Sequence, residues 1–493
     1  MAKRIMIQGT MSGVGKSLLT AALCRIFCQD GYRVAPFKSQ NMALNSFITA
    51  DGREMGRAQV VQAYAAGKQP DVRMNPILLK PSSDVGSQVI VLGEARGDYR
   101  AVDYFKMKRS LIPDIMQAYE SLASENDIIV IEGAGSPAEI NLRADDIVNM
   151  GLAELVDAPV ILVGDIDPGG VFAQIYGTVA LLEERERRRV VGTVINKFRG
   201  DVSLLEPGLR MLEDLTGVPV LGVVPYTAVD LDDEDSVSRR LDRRSADGTV
   251  DIAVIRLPHI SNFTDFIPLE RHPDLGVRYV KEAGELGEPD MLILPGTKNT
   301  MGDLQWMRRG GLDAAVKRLG EKGVPVLGVC GGYQMLGRHL RDLEGAEHGG
   351  EMESLGLLPV ETEFSARKIQ VQTEASVCAE PFAGAKLQGY QIHMGRTDRA
   401  GTAPFCVLPD GTEDGSVRGN VFGTYIHGLF DSGELTAKLA DWLLRRRGLV
   451  AASGQVESHL HYQERQLELL ADTVRQSLDL SAVYRAMEEY DHG

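Results

Sequence analysis

Residues 9–17 read Gly9-Thr10-Met11-Ser12-Gly13-Val14-Gly15-Lys16-Ser17, directly after an apolar segment of strand length and directly before a helical run. Strand, glycine-rich loop, Gly-Lys-Ser and helix in this order are the context that a phosphate-binding loop needs. Glycines let backbone N–H groups converge on anionic oxygens, Lys16 neutralises phosphate, and the Ser17 hydroxyl can ligate Mg²⁺. We therefore predict an ATP site at Gly13, Gly15, Lys16 and Ser17, with Mg²⁺ as its metal.

The same alternation of strand and helix continues to about residue 226. The strand-like segments are residues 4–8, 33–37, 127–131, 159–163, 190–195 and 218–224. Their spacing predicts a mostly parallel sheet with helices on both faces. At 493 residues the chain exceeds the size at which one core usually keeps growing, so more than one domain is expected.

Polar side chains that follow neighbouring strands can complete the phosphate site. Glu132 ends a buried strand segment and precedes a glycine turn, so we expect its carboxylate at the metal. Asp51 is a second metal candidate, although an Asp-Gly pair is also ordinary turn chemistry. Lys38 ends the second strand segment and can hold phosphate or a substrate carboxylate. Asn196 is placed to bind an adenine edge, and a structural role for it is the alternative.

A charged, turn-rich stretch follows the first set of strands, and strand-like segments resume after it. The second set comprises residues 251–257, 291–294, 324–329, 369–377, 389–393 and 421–426. We predict an α/β protein in four parts: a P-loop domain at 1–229, a charged linker at 230–249, a second α/β domain at 250–440, and a helical C-terminal tail at 441–493.

A second glycine-flanked turn closes an apolar run and reads Gly328-Val329-Cys330-Gly331-Gly332. A sharp strand-to-helix turn exposes its central side chain above the sheet and aims the following N–H groups at any oxyanion formed there. Cys330 on this turn predicts acyl transfer through a thioester, with Gly331 as one oxyanion donor. The turn at Gly296 can supply the second. A buried structural cysteine is the alternative.

A cysteine nucleophile needs a base, and the chain has nine histidines. His427 follows a short strand-like segment and precedes a glycine, so its ring can project towards a site formed by another strand end. His393 lies in a similar segment, residues 389–397. Position alone leaves both candidates open.

The composition of the chain limits its expected partners and its expected location in the cell. The formal net charge of −16 disfavours nucleic acid and anionic membranes as partners. No apolar run approaches the roughly 20 residues of a membrane helix. Five cysteines, odd in number and without metal-ligand spacing, argue against a disulfide framework and favour the cytoplasm. The chain enters a strand-like segment at once, so we expect no signal peptide.

Taken together, these motifs resemble the cobyric acid synthase family of cobalamin-pathway amidotransferases. The resemblance covers nearly the whole chain and rests on residues 9–17, 38–46, 75–81, 164–170, 329–332, 390–397 and 425–428. It implies a dethiobiotin-synthetase-like ATPase domain, whose variant loop matches the five residues between Gly9 and Gly15, followed by a class I type glutaminase domain. The matching positions make Cys330 the nucleophile and His427 its base.

The resemblance also implies a reaction, the amidation of the b, d, e and g carboxylates of adenosylcobyrinic acid a,c-diamide with ATP and glutamine. Lys38, Asn41 and Lys80 lie in the matching motifs, and we expect them to bind substrate. Class I glutaminases carry Glu two residues after the histidine, where this chain has Leu429. We therefore expect a Cys-His dyad whose imidazole is oriented by some other acceptor.

Two alternatives stand beside this interpretation. Cobyrinic acid a,c-diamide synthase has the same two domains and different target carboxylates, and residues 38–46 and 75–81 favour the first assignment over it. A P-loop regulatory ATPase with an inert glutaminase-like module is the other alternative. The presence of both Cys330 and His427 argues against that one.

Overall fold

The computed structural model describes residues 2–83, 86–232, 239–242, 248–347, 349–450 and 456–490. The first sheet is parallel throughout, with six strands in the order Val220–Pro225, Val190–Phe198, Val160–Asp165, Lys3–Gly9, Ile128–Glu132 and Val34–Phe37. Each predicted strand segment of the first half is confirmed. Because the strands are parallel, the loops that follow Gly9, Phe37 and Glu132 leave the same edge of the sheet.

Helices pack on both faces of this sheet. They are Lys16–Gln29, Arg57–Ala65, Ala101–Met107, Ile112–Glu125, Met150–Leu155, Val171–Leu181, Glu184–Arg187 and Glu206–Thr216. Successive side chains of the first strand belong to separate cores: Met6 packs in one, Ile5 and Ile7 in the other. Both faces of a strand must be apolar for this arrangement, which explains the continuous apolar runs in the sequence.

The predicted C-terminal tail closes one of these two cores. Its helices, His459–Ser477 and Leu480–Tyr490, bury Leu470 and Val474 against the same apolar cluster as Phe27. Arg25 also pairs with Glu464 at 2.6 Å. The last segment of the chain therefore returns to the first domain and packs on the helix that follows the phosphate-binding loop.

Short strands absent from the sequence prediction extend the first domain. A four-stranded sheet is formed by Gln40–Met42, Ile77–Ser83, Gly86–Val91 and Glu94–Arg100, and a hairpin by Ser46–Ile48 and Glu54–Gly56. Three of these strands have only three residues, which is too short to show a period. The strands Ile77–Ser83, Gly86–Val91 and Glu94–Arg100 have six or seven residues, and the sequence prediction missed them as well.

The second domain contains two sheets. The first has the order Leu275–Val280, Val250–Ile255, Met291–Leu294, Val326–Val329, Val421–Thr424 and Ser416–Arg418, and only its last strand is antiparallel. The second is formed by Gly350–Glu353, His339–Asp342, Glu361–Val377, Lys386–Asp398, Ile426–His427, Cys406–Val407 and Glu413–Asp414. The helices are Ile267–Glu270, Thr300–Arg309, Leu312–Glu321, Gly331–Leu336 and Glu434–Arg446. The α/β class is confirmed here as well.

Short 3-10 turns complete the described chain, at Val72–Met74, Lys108–Leu111, Ile140–Asp145, Val202–Leu204, Arg239–Asp242, Phe263–Phe266 and Ala283–Glu285. Most of the predicted linker falls outside the described residues, and the four domain boundaries stay a prediction. Within the described ranges, no helix combines the length and apolarity that a membrane span requires.

The two α/β domains contact each other through the hairpin at Ser46–Ile48. Tyr390 donates its hydroxyl to the Ser46 carbonyl at 2.9 Å, and the Ser46 N–H donates to Asn262 Oδ1 at 3.0 Å. Gln372 donates to the Ile48 carbonyl. All three partners of the hairpin belong to the second domain, so the hairpin links the two domains.

Candidate active sites

The phosphate-binding loop has the backbone that its glycines predict. Gly13 and Gly15 adopt left-handed conformations, with φ of 75° and 99°. A Cβ at Gly15 would collide with the side-chain amide of Asn196. Lys16 begins the helix Lys16–Gln29 and donates its ammonium to the carbonyls of Met11, at 3.1 Å, and Gly135, at 3.0 Å. These contacts hold its charge over the loop, where the helix N-terminus favours an anion.

The Glu132 carboxylate accepts hydrogen bonds from three side chains of this site. Its Oε1 accepts a hydrogen bond from Ser17 Oγ at 2.8 Å and from Lys38 Nζ at 2.9 Å. Its Oε2 accepts one from Gln62 Nε2 at 2.5 Å. The sequence predicted Ser17 from the phosphate-binding loop and Lys38 and Glu132 from the ends of their strands, and the structure brings all three together.

The donor set fits Mg²⁺. This ion prefers oxygen ligands and usually takes one or two carboxylates besides waters and phosphate oxygens. A serine hydroxyl and a carboxylate oxygen 2.8 Å apart at a helix N-terminus supply that chemistry. Ser17 and Glu132 would hold the ion next to nucleotide phosphates.

An open cleft of about 2070 Å³ surrounds these groups. Lys38 and Asn41 line it together with the phosphate-binding loop, and Asn41 also donates to Gln59 Oε1 at 2.9 Å. The rest of the lining is largely apolar, with Met42, Leu44 and Val61 among its members. The cleft can therefore present both charge and apolar surface to a large ligand.

Two residues predicted for this site have other contacts. Asp51 is exposed in the turn of the small hairpin, accepts a hydrogen bond from Thr49 and lies 3.4 Å from Arg53. Turn chemistry explains its position, and it does not line the cleft. Asn196 donates its amide to the Val14 carbonyl at 2.8 Å. This contact shapes the phosphate-binding loop, so the structure favours the structural role over adenine binding.

Lys80 was expected to bind substrate, and that role stays a prediction. It lines the cavity around Cys330 instead of the ATP cleft, and its ammonium donates to Ser46 Oγ at 3.0 Å and to Glu54 Oε1 at 2.8 Å. Glu54 also pairs with Lys368 of the second domain at 2.5 Å. Lys80 therefore contributes to a buried charge cluster between the domains.

Cys330 has the geometry of a nucleophile elbow. Its backbone lies at φ 52° and ψ −110°, a conformation that costs energy for a residue with a Cβ. The turn connects the strand Val326–Val329 to the helix Gly331–Leu336, and a Cβ at Gly332 would collide with the Leu294 carbonyl. Sharp turning and close backbone approach thus explain the glycines beside the cysteine.

His427 lies beside Cys330 and is held by Asp265. Its Nδ1 is 2.7 Å from Asp265 Oδ2, while Asp265 Oδ1 accepts the Gly428 N–H at 2.9 Å. Burial alone would lower the pKa of His427, but the Asp265 carboxylate and a hydrogen bond with Cys330 raise it to about 10. The three groups have the nucleophile, base and orienting acid arrangement of a catalytic triad.

Asp265 is the functional residue that the sequence analysis missed. The expected orienting acceptor is this carboxylate, which reaches His427 from the turn Phe263–Phe266, on the other side of Cys330 in the chain. One signal was available. A carboxylate between apolar neighbours in a buried turn needs a specific partner, because an isolated buried charge is costly.

His393 also lines the cavity, but its environment does not suit a base. Its Nδ1 contacts the Gly395 carbonyl at 2.7 Å, and its ring stacks on Tyr425 with centroids 3.7 Å apart. Burial lowers the pKa of His393 to about 4, so the ring binds a proton too weakly to serve well as a base near pH 7. Of the two histidines left open by position, the geometry favours His427.

The predicted oxyanion donors stand on both sides of this pair. Gly331 is the first residue of its helix, so its N–H has no acceptor within the helix. A Cβ at Gly296 would lie 2.9 Å from Cε1 of His427, which places that backbone against the imidazole. Both positions are consistent with N–H groups aimed at the carbonyl oxygen of a thioester-forming substrate, where negative charge develops.

Comparison with known proteins identifies both halves. Residues 5–236 match the family model of the CobQ/CobB/MinD/ParA nucleotide binding domain. Residues 251–435 match that of the CobB/CobQ-like glutamine amidotransferase domain. Each family match contains one of the two sites described above.

Curated relatives match from end to end. The chain is 56% identical to the cobyric acid synthase of Ruminiclostridium cellulolyticum, over 99% of this chain and 98% of the relative. It is 54% identical to that of Lachnoclostridium phytofermentans, over 99% and 100%. It is 51% identical to that of Photorhabdus laumondii, over 100% and 99%. Since these matches span both domains at high identity, the chain belongs to the cobyric acid synthase family of glutamine amidotransferases.

Proposed function

We propose that this protein amidates the b, d, e and g carboxylates of adenosylcobyrinic acid a,c-diamide, with one ATP and one glutamine consumed for each amide. The observation that carries the proposal is the presence on one chain of two complete sites. One has Lys16, Ser17 and Glu132 at a phosphate-binding loop; the other has Cys330, His427 and Asp265 at a nucleophile elbow.

The first site would activate the carboxylate. A carboxylate is a poor electrophile, so transfer of the ATP γ-phosphoryl group to it gives an acyl phosphate that ammonia can attack. Lys16 and the N-terminus of its helix stabilise charge on the phosphates, and Lys38 can orient the substrate carboxylate. Mg²⁺, when bound by Ser17 and Glu132, supplies further charge neutralisation there.

The second site would supply the ammonia. Cys330 Sγ attacks the side-chain amide carbon of glutamine, and His427 delivers a proton to the departing nitrogen. Asp265 holds the imidazole in position, and the Gly331 N–H stabilises the oxyanion. Water then hydrolyses the thioester and releases glutamate. Free ammonia is scarce at neutral pH because most of it is protonated, which is why a glutaminase is needed.

Ammonia would pass between the sites at the contact of the domains. Lys80 lines the Cys330 cavity, and the next residue, Pro81, lines the ATP cleft. One strand therefore contributes to the walls of both spaces. Trapping of ammonia from bulk solution should leave product formation unchanged if transfer occurs through this wall.

Mass spectrometry of the corrin product tests the proposal. Purified protein with MgATP, glutamine and adenosylcobyrinic acid a,c-diamide should add four amides. An enzyme that instead adds two amides to cobyrinic acid is the a,c-diamide synthase, and a regulatory ATPase would show no glutamine turnover. The cytoplasm is the proposed location, because the reaction consumes ATP and all five cysteines are free thiols.

A further inference from the structure

The cavity around Cys330 is lined by three lysines and one carboxylate, Lys80, Lys298, Lys368 and Glu347. Lys80 and Lys368 share Glu54, at 2.8 Å and 2.5 Å, so each of these ammoniums has a carboxylate partner within the protein. The Lys298 ammonium makes no hydrogen bond or ion pair with any residue in the described part of the chain. Burial and the nearby charge of Lys80 lower its pKa.

Glu347 supplies the opposite charge from a fixed loop. Its Oε2 accepts the Thr300 N–H at 3.0 Å, and its own N–H donates to Asp342 Oδ2 at 2.8 Å. Asp342 also accepts the Ala346 N–H at 2.7 Å, which holds the loop in place. Burial raises the pKa of Glu347 to about 7, against the opposing charge of Lys298.

Lys298 and Glu347 influence each other's charge without forming an ion pair within 4 Å among the described residues. Both side chains are half-buried, and a charge withdrawn from water without a close partner is costly. A ligand that supplies both missing partners lowers that cost at both groups. Glutamine is such a ligand, because its α-carboxylate and α-ammonium carry the two signs on one carbon atom.

We propose that Lys298 binds the α-carboxylate of glutamine and Glu347 its α-ammonium, while the side-chain amide reaches Cys330. The inference rests on the proposed glutaminase activity and assigns the selectivity of that site. One charge-assisted contact to the α-carboxylate and one to the α-ammonium distinguish glutamine from amides that lack either group. Lys298 and Glu347 are therefore specificity residues of the glutaminase site.

Substrate analogues test each contact separately. 4-Carbamoylbutanoate lacks the ammonium, and glutaminol has an alcohol in place of the α-carboxylate. The unmodified protein should release ammonia from each with a kcat/KM about ten- to a hundredfold below that for glutamine. Glu347→Gln should lose the preference over 4-carbamoylbutanoate only, and Lys298→Met the preference over glutaminol only.

Glu347→Gln keeps an oxygen that can accept the Thr300 N–H, and exposed Lys317→Met and Glu351→Gln serve as matched controls with unchanged preferences. Equal turnover of glutamine and either analogue by the unmodified protein would overturn the inference, and this measurement requires no variant to fold. The inference would also be overturned if each variant weakened both preferences to the same extent. Amidation with ammonium salts, measured in parallel, reports on the proposed function independently, so the two failures are distinguishable.

Discussion

The two sites of this protein differ in size and in which domains form their walls. The ATP site lies in an open cleft of about 2070 Å³, whereas the cavity at Cys330 has about 480 Å³ and takes part of its wall from Lys80 of the other domain. A corrin with several carboxylates needs an open cleft in which each carboxylate can be presented in turn. Free ammonia instead needs protection from bulk water, where it would be protonated and diluted. The ATP site therefore suits a substrate whose carboxylates are presented one after another, whereas the glutaminase site suits the retention of ammonia.

Lys16→Ala gives the largest expected effect because it acts on the step that both nitrogen sources share. Removal of the ammonium from the phosphates should lower amidation by about a thousandfold or more, with glutamine and with ammonium salts alike. Glutamine hydrolysis should continue. Product formation is measured by mass spectrometry and glutamate release by a coupled assay. Retained amidation with ammonium salts would show that the phosphate-binding loop does not activate the carboxylate.

Cys330→Ala should have the opposite pattern, because it should abolish the use of glutamine and leave the ATP site active. Without the thiol no thioester forms, so glutamine-dependent amidation should fall to background. Amidation with ammonium salts should remain near the unmodified rate because the ATP cleft is untouched. The ratio of the two rates is the measurement. A variant that kept its glutamine-dependent rate would place the nucleophile elsewhere.

The two sites also differ in how far sequence predicts them. The ATP site is predicted by nine consecutive residues, 9–17, because their glycines determine the conformation of the loop. Glu132 is predicted from its position at the end of a strand. The glutaminase site combines Asp265 and His427, which are 162 residues apart, and no period or spacing encodes that contact. Asp51 was assigned to the metal from its position in the sequence, and the unpredicted hairpin places it away from the cleft. Lys80 was assigned to substrate from its motif, and nothing in that motif indicated that its strand forms part of the wall around Cys330.

Asp265→Asn tests the orienting role of the carboxylate. The amide cannot stabilise the imidazolium, so kcat for glutamine hydrolysis should fall by about a hundred- to ten-thousandfold. The variant should also lower the pKa of His427 from about 10, moving the alkaline limb of the pH–rate profile to lower pH. Exposed Asp410→Asn is the matched control. A reduced kcat with an unshifted pH profile would leave Asp265 with a packing role only.

Glu54→Gln concerns the contact between the sites and should have the smallest effect on the chemistry. Glu54 is buried, and its substitution leaves the ammoniums of Lys80 and Lys368 unpaired at the wall of the glutaminase cavity. We expect both half-reactions to continue while the glutamine consumed per amide formed rises severalfold, because the wall loosens and ammonia escapes. Parallel assays of glutamate and amide measure this ratio. An unchanged ratio would show that the cluster contributes to stability alone.

The pH dependence of unfolding provides the second measurement on Glu54. Burial would raise the pKa of this carboxyl, but the ammoniums of Lys368 and Lys80 hold it well below its usual range. A depressed pKa in the folded state adds stability at pH values above the unfolded value of about 4.3, and this stability is lost as the pH falls towards the folded pKa. Glu54→Gln should therefore lower the free energy of unfolding by about 3 kcal/mol at neutral pH. Because glutamine does not titrate, the difference between the two proteins should shrink on acidification, and urea titrations at several pH values will follow it. A constant difference would mean that the lost stability comes from packing, and the charges would then have no part in holding the domains together.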